Sequence, residues 1–162
     1  MEITVRGAVA GDVRVLVDFN LRMAEETEGK SLDGETLAAG VEAVVVGTES
    51  EGVPPGRYLV AEVDGRVVGA LMHTWEWSDW RNGVVWWLQS VFVEPEFRRR
   101  GVFRLLYETL RSQARNDERV VGLRLYVEGD NRGAQATYAR LGMSSSGYTG
   151  MEELFTESAE RG

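Results

Sequence analysis

Residues 84–93, VVWWLQSVFV, form an almost unbroken apolar run that ends just before Pro95. A run rich in β-branched and aromatic residues and halted by proline predicts a central strand covered on both faces. Arg98, Arg99, Arg100 and Gly101 follow, and then the apolar spacing turns helical through Val102, Leu106, Leu110 and Ala114, with Phe103 and Leu105 widening the stripe. A strand fed through a tight basic turn into a helix start leaves backbone N–H groups unpaired. Their alignment adds roughly half a positive charge there. With three guanidinium groups on the same turn, the segment predicts an anion site suited to a pyrophosphate. A solvated basic turn has the same composition, so this segment is weighed together with one further along.

That second segment is Asn131-x-x-Ala134-x-x-x-Tyr138-x-x-x-Gly142-Met143, which follows the strand-like LRLYV. Asp130 or Asn131 can cap a helix start. Ala134, Tyr138 and Leu141 then share one face, and Gly142 stands where a glycine ends a helix. The small Ala134 permits close approach to that face, and Tyr138 offers a phenol one turn later. Alone, the pattern also suits a core tyrosine on an ordinary amphipathic helix.

Together the two segments resemble the GNAT superfamily of N-acetyltransferases. The family loop reads Q/R-x-x-G-x-G/A after a strand with V-x-V-x-P; here Arg98-x-x-Gly101-x-Phe103 follows Val91-x-Val93-x-Pro95. The opening Ile3-Thr4-Val5-Arg6-Gly7-Ala8 also looks like the family's start, so the resemblance spans nearly the whole chain. Phe103 departs from the pattern, standing where the family has glycine or alanine. Its ring has to turn toward the core. The resemblance implies a single-domain α/β fold of the α+β type, with a mixed, splayed central sheet flanked by helices. It implies acetyl-CoA as cosubstrate, with no metal. Cofactor contacts then fall to Val91, Phe92, Val93, Arg98, Arg99, Arg100, Gly101, Val102, Phe103, Arg104, Asn131, Ala134 and Tyr138. The pantetheine arm would hydrogen-bond the strand near Val91 to Val93 as a neighbouring strand does. The same backbone would supply an N–H to the developing oxyanion, and Tyr138 would protonate the departing thiolate.

At 162 residues the chain has the length for one domain with a sizeable core. We expect a domain over residues 1–155 and a frayed tail over 156–162. A net charge of −8 argues against a broad nucleic-acid surface, so the arginine cluster is a local feature of an acidic protein. The chain has no cysteine and a single histidine, His73. Disulfides, a thiolate nucleophile and a multi-histidine metal site are excluded accordingly. The start, MEITVRGAVAGD, lacks signal-peptide features, and no apolar run reaches bilayer length. The expectation is a soluble cytoplasmic protein with neither membrane nor nucleic acid as partner.

The remaining elements read in order. Residues 2–6 suggest a strand. Asp12 suggests a cap for a helix with Val13, Leu16, Val17, Leu21 and Ala24 inward. Asp33 suggests a cap for a second helix with Leu37, Val41, Val44 and Val45 inward. Residues 47–56 read as a loop. Strands are expected at 57–62, 67–75 and 120–127, with Asp64-Gly65 as a hairpin turn, and a closing strand at 151–155. The acceptor side is read from Thr74-Trp75-Glu76-Trp77-Ser78-Asp79-Trp80. A carboxylate between indole rings can be desolvated and its pKa raised, which makes Glu76 the candidate base. Glu76 can equally bind a cationic substrate or sit solvated in a turn. Trp77, Asp79 and Gln89 complete the candidate acceptor contacts, and Glu25, Glu26 and Glu28 can rim the same pocket. His73 is the weaker base candidate. The tryptophans can frame an amine, fill the core, or form a homodimer contact together with the final strand. The leading function is direct transfer of acetyl from acetyl-CoA to a primary amine of a small molecule or peptide, within a ternary complex. The alternative is a non-catalytic module that binds CoA or acyl-CoA as a sensor or docking unit.

Overall fold

The computed structural model describes residues 1–47 and 53–155. The middle of the expected 47–56 loop and the expected tail lie outside the described residues.

Strand β2 (Arg57–Val63) and strand β3 (Arg66–Ser78) meet at Asp64-Gly65, whose φ values are 51° and 76°. A two-residue turn needs positive φ to follow the twist of its strands, so the hairpin forms where the Asp-Gly pair predicts it. β3 turns into β4 (Gly83–Val93), again antiparallel. β1 (Thr4–Gly7) joins β2 antiparallel, and β5 (Val120–Leu125) joins β4 parallel, giving the order β1-β2-β3-β4-β5. A parallel neighbour requires a crossover. Here it is helix α3 (Val102–Asn116). The other helices are α1 (Val13–Glu28), α2 (Gly34–Val45) and α4 (Arg132–Arg140).

The period of two along each strand sorts side chains into two layers. Tyr58, Val60, Ala70 and Phe92 pack beneath Leu16 and Phe19 of α1 and Val41, Val44 and Val45 of α2. Leu59, Ala61, Leu71 and Leu88 face the opposite way, onto Val102, Leu106, Tyr107 and Leu110 of α3. Leu106 and Leu110 are fully buried, which contributes about 1.5–3 kcal/mol each.

Two irregularities in β4 shape the site. Its pairing with β5 runs from Val84↔Val120 to Leu88↔Leu125 and stops, while its pairing with β3 continues to Val93. Beyond Leu88 the parallel strands have therefore parted. Against β3 the register shifts between Leu71 and His73, leaving β4 with one extra residue near Gln89 and Ser90. A bulge of this kind bends the strand and re-aims its side chains.

Several expectations are corrected. Residues 151–155 form no strand, and Met151 and Phe155 stand 97% and 90% exposed. A strand needs a partner edge, and nothing in the described chain pairs with this segment. Asp12 precedes α1 but does not cap it. Its carboxylate accepts from the Val9 N–H at 2.8 Å and from both Arg6 Nη atoms. Asp33 does cap α2, accepting from Thr36 N–H at 2.8 Å. Of the expected α1 stripe, Leu16 is fully buried and Val13 and Val17 pack against the core, while the other buried positions are Phe19 and Asn20 rather than Leu21 and Ala24. β4 is not covered on both faces throughout: Gln89 is exposed, because the divergence of β5 leaves that stretch open.

Candidate functional site

The turn from β4 to α3 is built from backbone conformation first. Arg99 adopts φ 61° and Gly101 φ 89°. A Cβ added to Gly101 would meet nothing within 4 Å, so the glycine serves its left-handed backbone and not a tight contact. Left-handed residues set among right-handed ones turn successive N–H groups toward a common hollow, which favours anions. Gly101 occupies the cap position of α3 with no side-chain cap bond, and the first helical bond is Leu105 N–H to the Gly101 carbonyl at 3.0 Å. The N–H groups of Val102, Phe103 and Arg104 therefore point ahead of the helix without intrahelical acceptors.

The arginines divide. Arg98 Nε donates to the Val93 carbonyl at 2.9 Å, its Nη2 to Glu26 at 2.7 Å, and its guanidinium lies 5.6 Å from the Phe92 ring centroid. It ties the loop to α1 and to the end of β4. Arg104 pairs with Glu108 one turn on. Arg100 lies over Phe97 at 5.9 Å. Neither Arg99 nor Arg100 forms an ion pair among the described residues. Beneath the loop, Glu94 is buried and accepts from Arg22 at 2.7 Å and Arg66 at 3.2 Å. The Arg22 bond, foremost, holds its carboxyl below the usual range. This network was not foreseen, because Arg22 on α1 and Arg66 at the start of β3 are far from Glu94 in sequence.

On α4 the Asn131 side chain accepts from Ala134 N–H at 3.0 Å, so the cap forms as expected. Gly142 has φ 93°, and the Met143 N–H returns to the Tyr138 carbonyl at 3.0 Å, closing the helix. Tyr138 is half-buried, and its phenol makes no hydrogen bond among the described residues. Burial, with a smaller contribution from Tyr107, pushes it above the ordinary tyrosine value. The Phe103 ring meets it edge-on, with centroids 5.8 Å apart at 82°. Phe103 has thus turned inward, and loop and tyrosine helix are in direct contact. Tyr138 also borders a cavity of about 300 Å³ lined by Leu123, Leu125, Val127, Gln135 and Met143. A larger cavity, about 480 Å³, lies against the far end of α3 near Arg111 and Arg115, away from the loop.

The candidate acceptor residues are spread along the sheet. Glu76 Oε2 accepts from Trp87 Nε1 at 2.8 Å, and Oε1 from Arg124 at 2.7 Å, so each oxygen is already engaged by the protein. Arg124 stacks over Trp87 at 5.6 Å, and Tyr126 packs on the same indole at 4.5 Å. Arg124 was missed in the sequence, though a charge within the alternating LRLYV was a visible sign. Gln89 donates to Thr74 Oγ1 at 3.0 Å. Trp77 and Asp79 are exposed at the β3–β4 turn. At about 3.3 Å per residue, the start of β4 at Gly83 lies roughly 26 Å along the strand from Val91. Trp77 and Asp79 are therefore not brought to the point where the strands part. His73 is 1% exposed and stacked between Trp75 and Trp86 at 5.1 and 4.4 Å. Burial and then the Arg57 charge push it down to about 4.

On the α1–α2 side, a cavity of about 330 Å³ is lined by Asn20, Leu37, Val41, Tyr58, Met72 and Ser90, the last beside the β4 bulge. Asn20 Nδ2 donates to the Tyr58 hydroxyl there at 3.2 Å. No group of three or more His, Cys, Asp or Glu able to hold a metal ion occurs among the described residues, nor any helix long and apolar enough to cross a membrane.

Comparison with known proteins bears on this geometry. The family model for the acetyltransferase (GNAT) family matches residues 23–143. A crystal structure of a possible acetyltransferase from Clostridium difficile 630 is 41% identical, covering 97% of this chain and 100% of its own, with a TM-score of 0.85. A probable acetyltransferase at 20% identity superposes with a TM-score of 0.79, covering 97% of this chain and 99% of its own. The aminoglycoside acetyltransferase AAC(6')-Iy, solved with the bisubstrate analogue CoA-S-monomethyl-acetylneamine, does so at 0.76 and 14% identity over 96% of this chain and 100% of its own. These last two show a shared fold. No curated protein matches.

Proposed function

Because the chain belongs to the acetyltransferase (GNAT) family, we propose that this acetyltransferase moves an acetyl group from acetyl-CoA to a primary amine of a small molecule or peptide, by direct transfer in a ternary complex. The observation that carries the reading is the junction of an open α3 N-terminus, a parted β4–β5 edge and a half-buried phenol within one contact of that N-terminus.

The residues present suit a CoA diphosphate and its amide arm. The free N–H groups of Val102, Phe103 and Arg104, with Arg99 and Arg100, would hold the diphosphate. Arg98, already bound to Val93 and Glu26, would hold the loop in shape. Asn131, which caps α4 by accepting from the Ala134 N–H, and Ala134 would meet the cofactor from the start of that helix. The backbone of Val91, Phe92 and Val93, no longer paired to β5, would receive the pantetheine amides. Acetyl-CoA, when bound, supplies an activated acyl carbon and a thiolate leaving group. The chain's own backbone N–H donors on β4 would steady charge on the carbonyl oxygen, and Tyr138 would deliver the phenol proton to the departing sulfur, while the proton lost by the amine nitrogen passes to solvent and solvent restores the phenol. Its raised pKa keeps that proton in place across the neutral range. The cavity beside Ser90 would admit the amine from the α1–α2 side. Glu76, with both oxygens engaged, fits an electrostatic role toward a cationic acceptor, with Gln89 nearer the point where the strands part and Trp77 and Asp79 further out along the sheet. We read the chain as one domain over 1–155 acting in the cytoplasm, with no nucleic-acid or membrane partner.

The engagement of Glu76 leaves no free carboxylate base on the sheet face among the described residues, and this favours one second reading, a non-catalytic module that binds acyl-CoA. Incubation with acetyl-CoA and a panel of aminoglycosides, polyamines, amino acids and peptides, followed as thiol release, separates the two. Turnover that falls by roughly 10²- to 10⁴-fold in Tyr138→Phe, at unchanged acetyl-CoA affinity, supports transfer. Tight CoA binding with no thiol release across the panel supports the module.

A further inference from the structure

Phe103 stands where the family pattern has glycine or alanine, side chains too small to reach α4. In this chain the residue does two things at once. Its backbone N–H is among the free donors of the first turn of α3, and its ring packs perpendicular to that of Tyr138, with centroids 5.8 Å apart at 82°. The same ring lies 6.2 Å from Tyr107 at 44°. The ring thus sits against the core side of the first turn of α3, between Tyr107 of the same helix and Tyr138 of α4.

Tyr138 has no hydrogen-bonding partner among the described residues to orient its phenol. The ring contact that orients it is with Phe103; Tyr107 lies close enough to act on it electrostatically, and Leu123 and Leu125 line the cavity that Tyr138 borders. Aromatic rings prefer the perpendicular arrangement because the positive edge of one meets the negative face of the other. Of these neighbours, only Phe103 belongs to the turn that offers its N–H groups to the diphosphate.

We propose that Phe103 is a positioning residue, aligning the Tyr138 phenol with an acyl donor gripped by the same helix turn. This rests on the reading of Tyr138 as the general acid. The ring of residue 103 transmits the position of the first turn of α3 to the phenol, so that donor grip and proton delivery share one rigid element. A misplacement on the scale of 1 Å costs up to about a hundredfold in rate. The ring therefore bears on kcat and not on donor binding, since any residue at 103 other than proline retains the N–H.

The test is a four-protein cycle of wild type, Phe103→Ala, Tyr138→Phe and the double variant, read as thiol release from acetyl-CoA with the best amine of the panel. Phe103→Ala is expected to lower kcat by about ten- to a hundredfold, leave the acetyl-CoA KM within about threefold, and add nothing in the Tyr138→Phe background. Phe103→Tyr, which retains the ring, restores kcat. Should Phe103→Ala fail to fold, Phe103→Leu, closer in volume but without the ring, takes its place in the cycle. Losses that multiply in the double variant, or unchanged kcat in Phe103→Ala while Tyr138→Phe is impaired, overturn the proposal and leave the acid reading intact. Unimpaired Tyr138→Phe overturns both.

Discussion

Replacing His73 with glutamine isolates the cost of burying the chain's one histidine. His73 is 1% exposed, lies between two indole rings, and its Nδ1 has no partner among the described residues. Burial, then the Arg57 charge, lowers it from 6.5 to about 4. In the unfolded chain it takes a proton below pH about 6.5; in the folded protein it resists until about pH 4. Between these values the unfolded state binds more protons, so stability falls as pH falls through that window and is fully present above it. At about 1.4 kcal/mol for each pH unit inside the window, the loss relative to a residue that never titrates is about 1.4 kcal/mol at pH 5.5 and about 3 kcal/mol at pH 4. Urea unfolding of wild type and His73→Gln across pH 7.5 to 4.5 measures this directly. The paired and lowered carboxylates Asp12 and Glu94 are present in both proteins and cancel in the difference. The stability gap should shift in favour of glutamine as the solution is acidified. Because the histidine is alone in the sequence, its ring resonance in the folded protein is unambiguous and should show no titration above pH 5. Stability curves that stay parallel from pH 7.5 to 4.5, or a midpoint near 6.5, would refute the reasoning.

Leu106→Ala should destabilise by about 2–5 kcal/mol in denaturant unfolding, since Leu106 is fully buried where α3 meets the sheet. Gly101→Ala should cost about 1 kcal/mol in stability, because φ 89° is strained for any Cβ while the surrounding space is open; calorimetry should show weaker CoA binding alongside. Arg99→Gln and Arg100→Gln should each weaken acetyl-CoA binding by about three- to tenfold and flatten its salt dependence. Unchanged affinity at low ionic strength in both would remove the loop from the proposed diphosphate site.

Most of the order of elements could be read from residue chemistry, because its signals are local. Asp64-Gly65 and Asp33 act on backbone atoms within a few residues, and the structure shows the turn and cap they predict. The stripe Val102, Leu106, Leu110 and Ala114 is buried as its spacing requires. The expected strand at 151–155 failed for the opposite reason: pairing is decided by a distant edge, which apolar content cannot reveal. Asp12 was read as a helix cap because its type and position fit; the nearby Arg6 guanidinium and Val9 N–H claimed its oxygens instead.

The candidate site divides along the same line. Left-handed glycine, unpaired helix start and asparagine-capped tyrosine helix are properties of contiguous segments, and so were visible in order along the chain. Which arginine stays available was settled by Glu26 on α1 reaching Arg98, and the fate of Glu76 by Arg124 from a strand 48 positions away. The contact between Phe103 and Tyr138 joins two helices that β5 separates in sequence. Covalent neighbours determine backbone geometry, and hence the anion-ready turn; the closure of long loops determines which charges and rings meet, and only folding performs it.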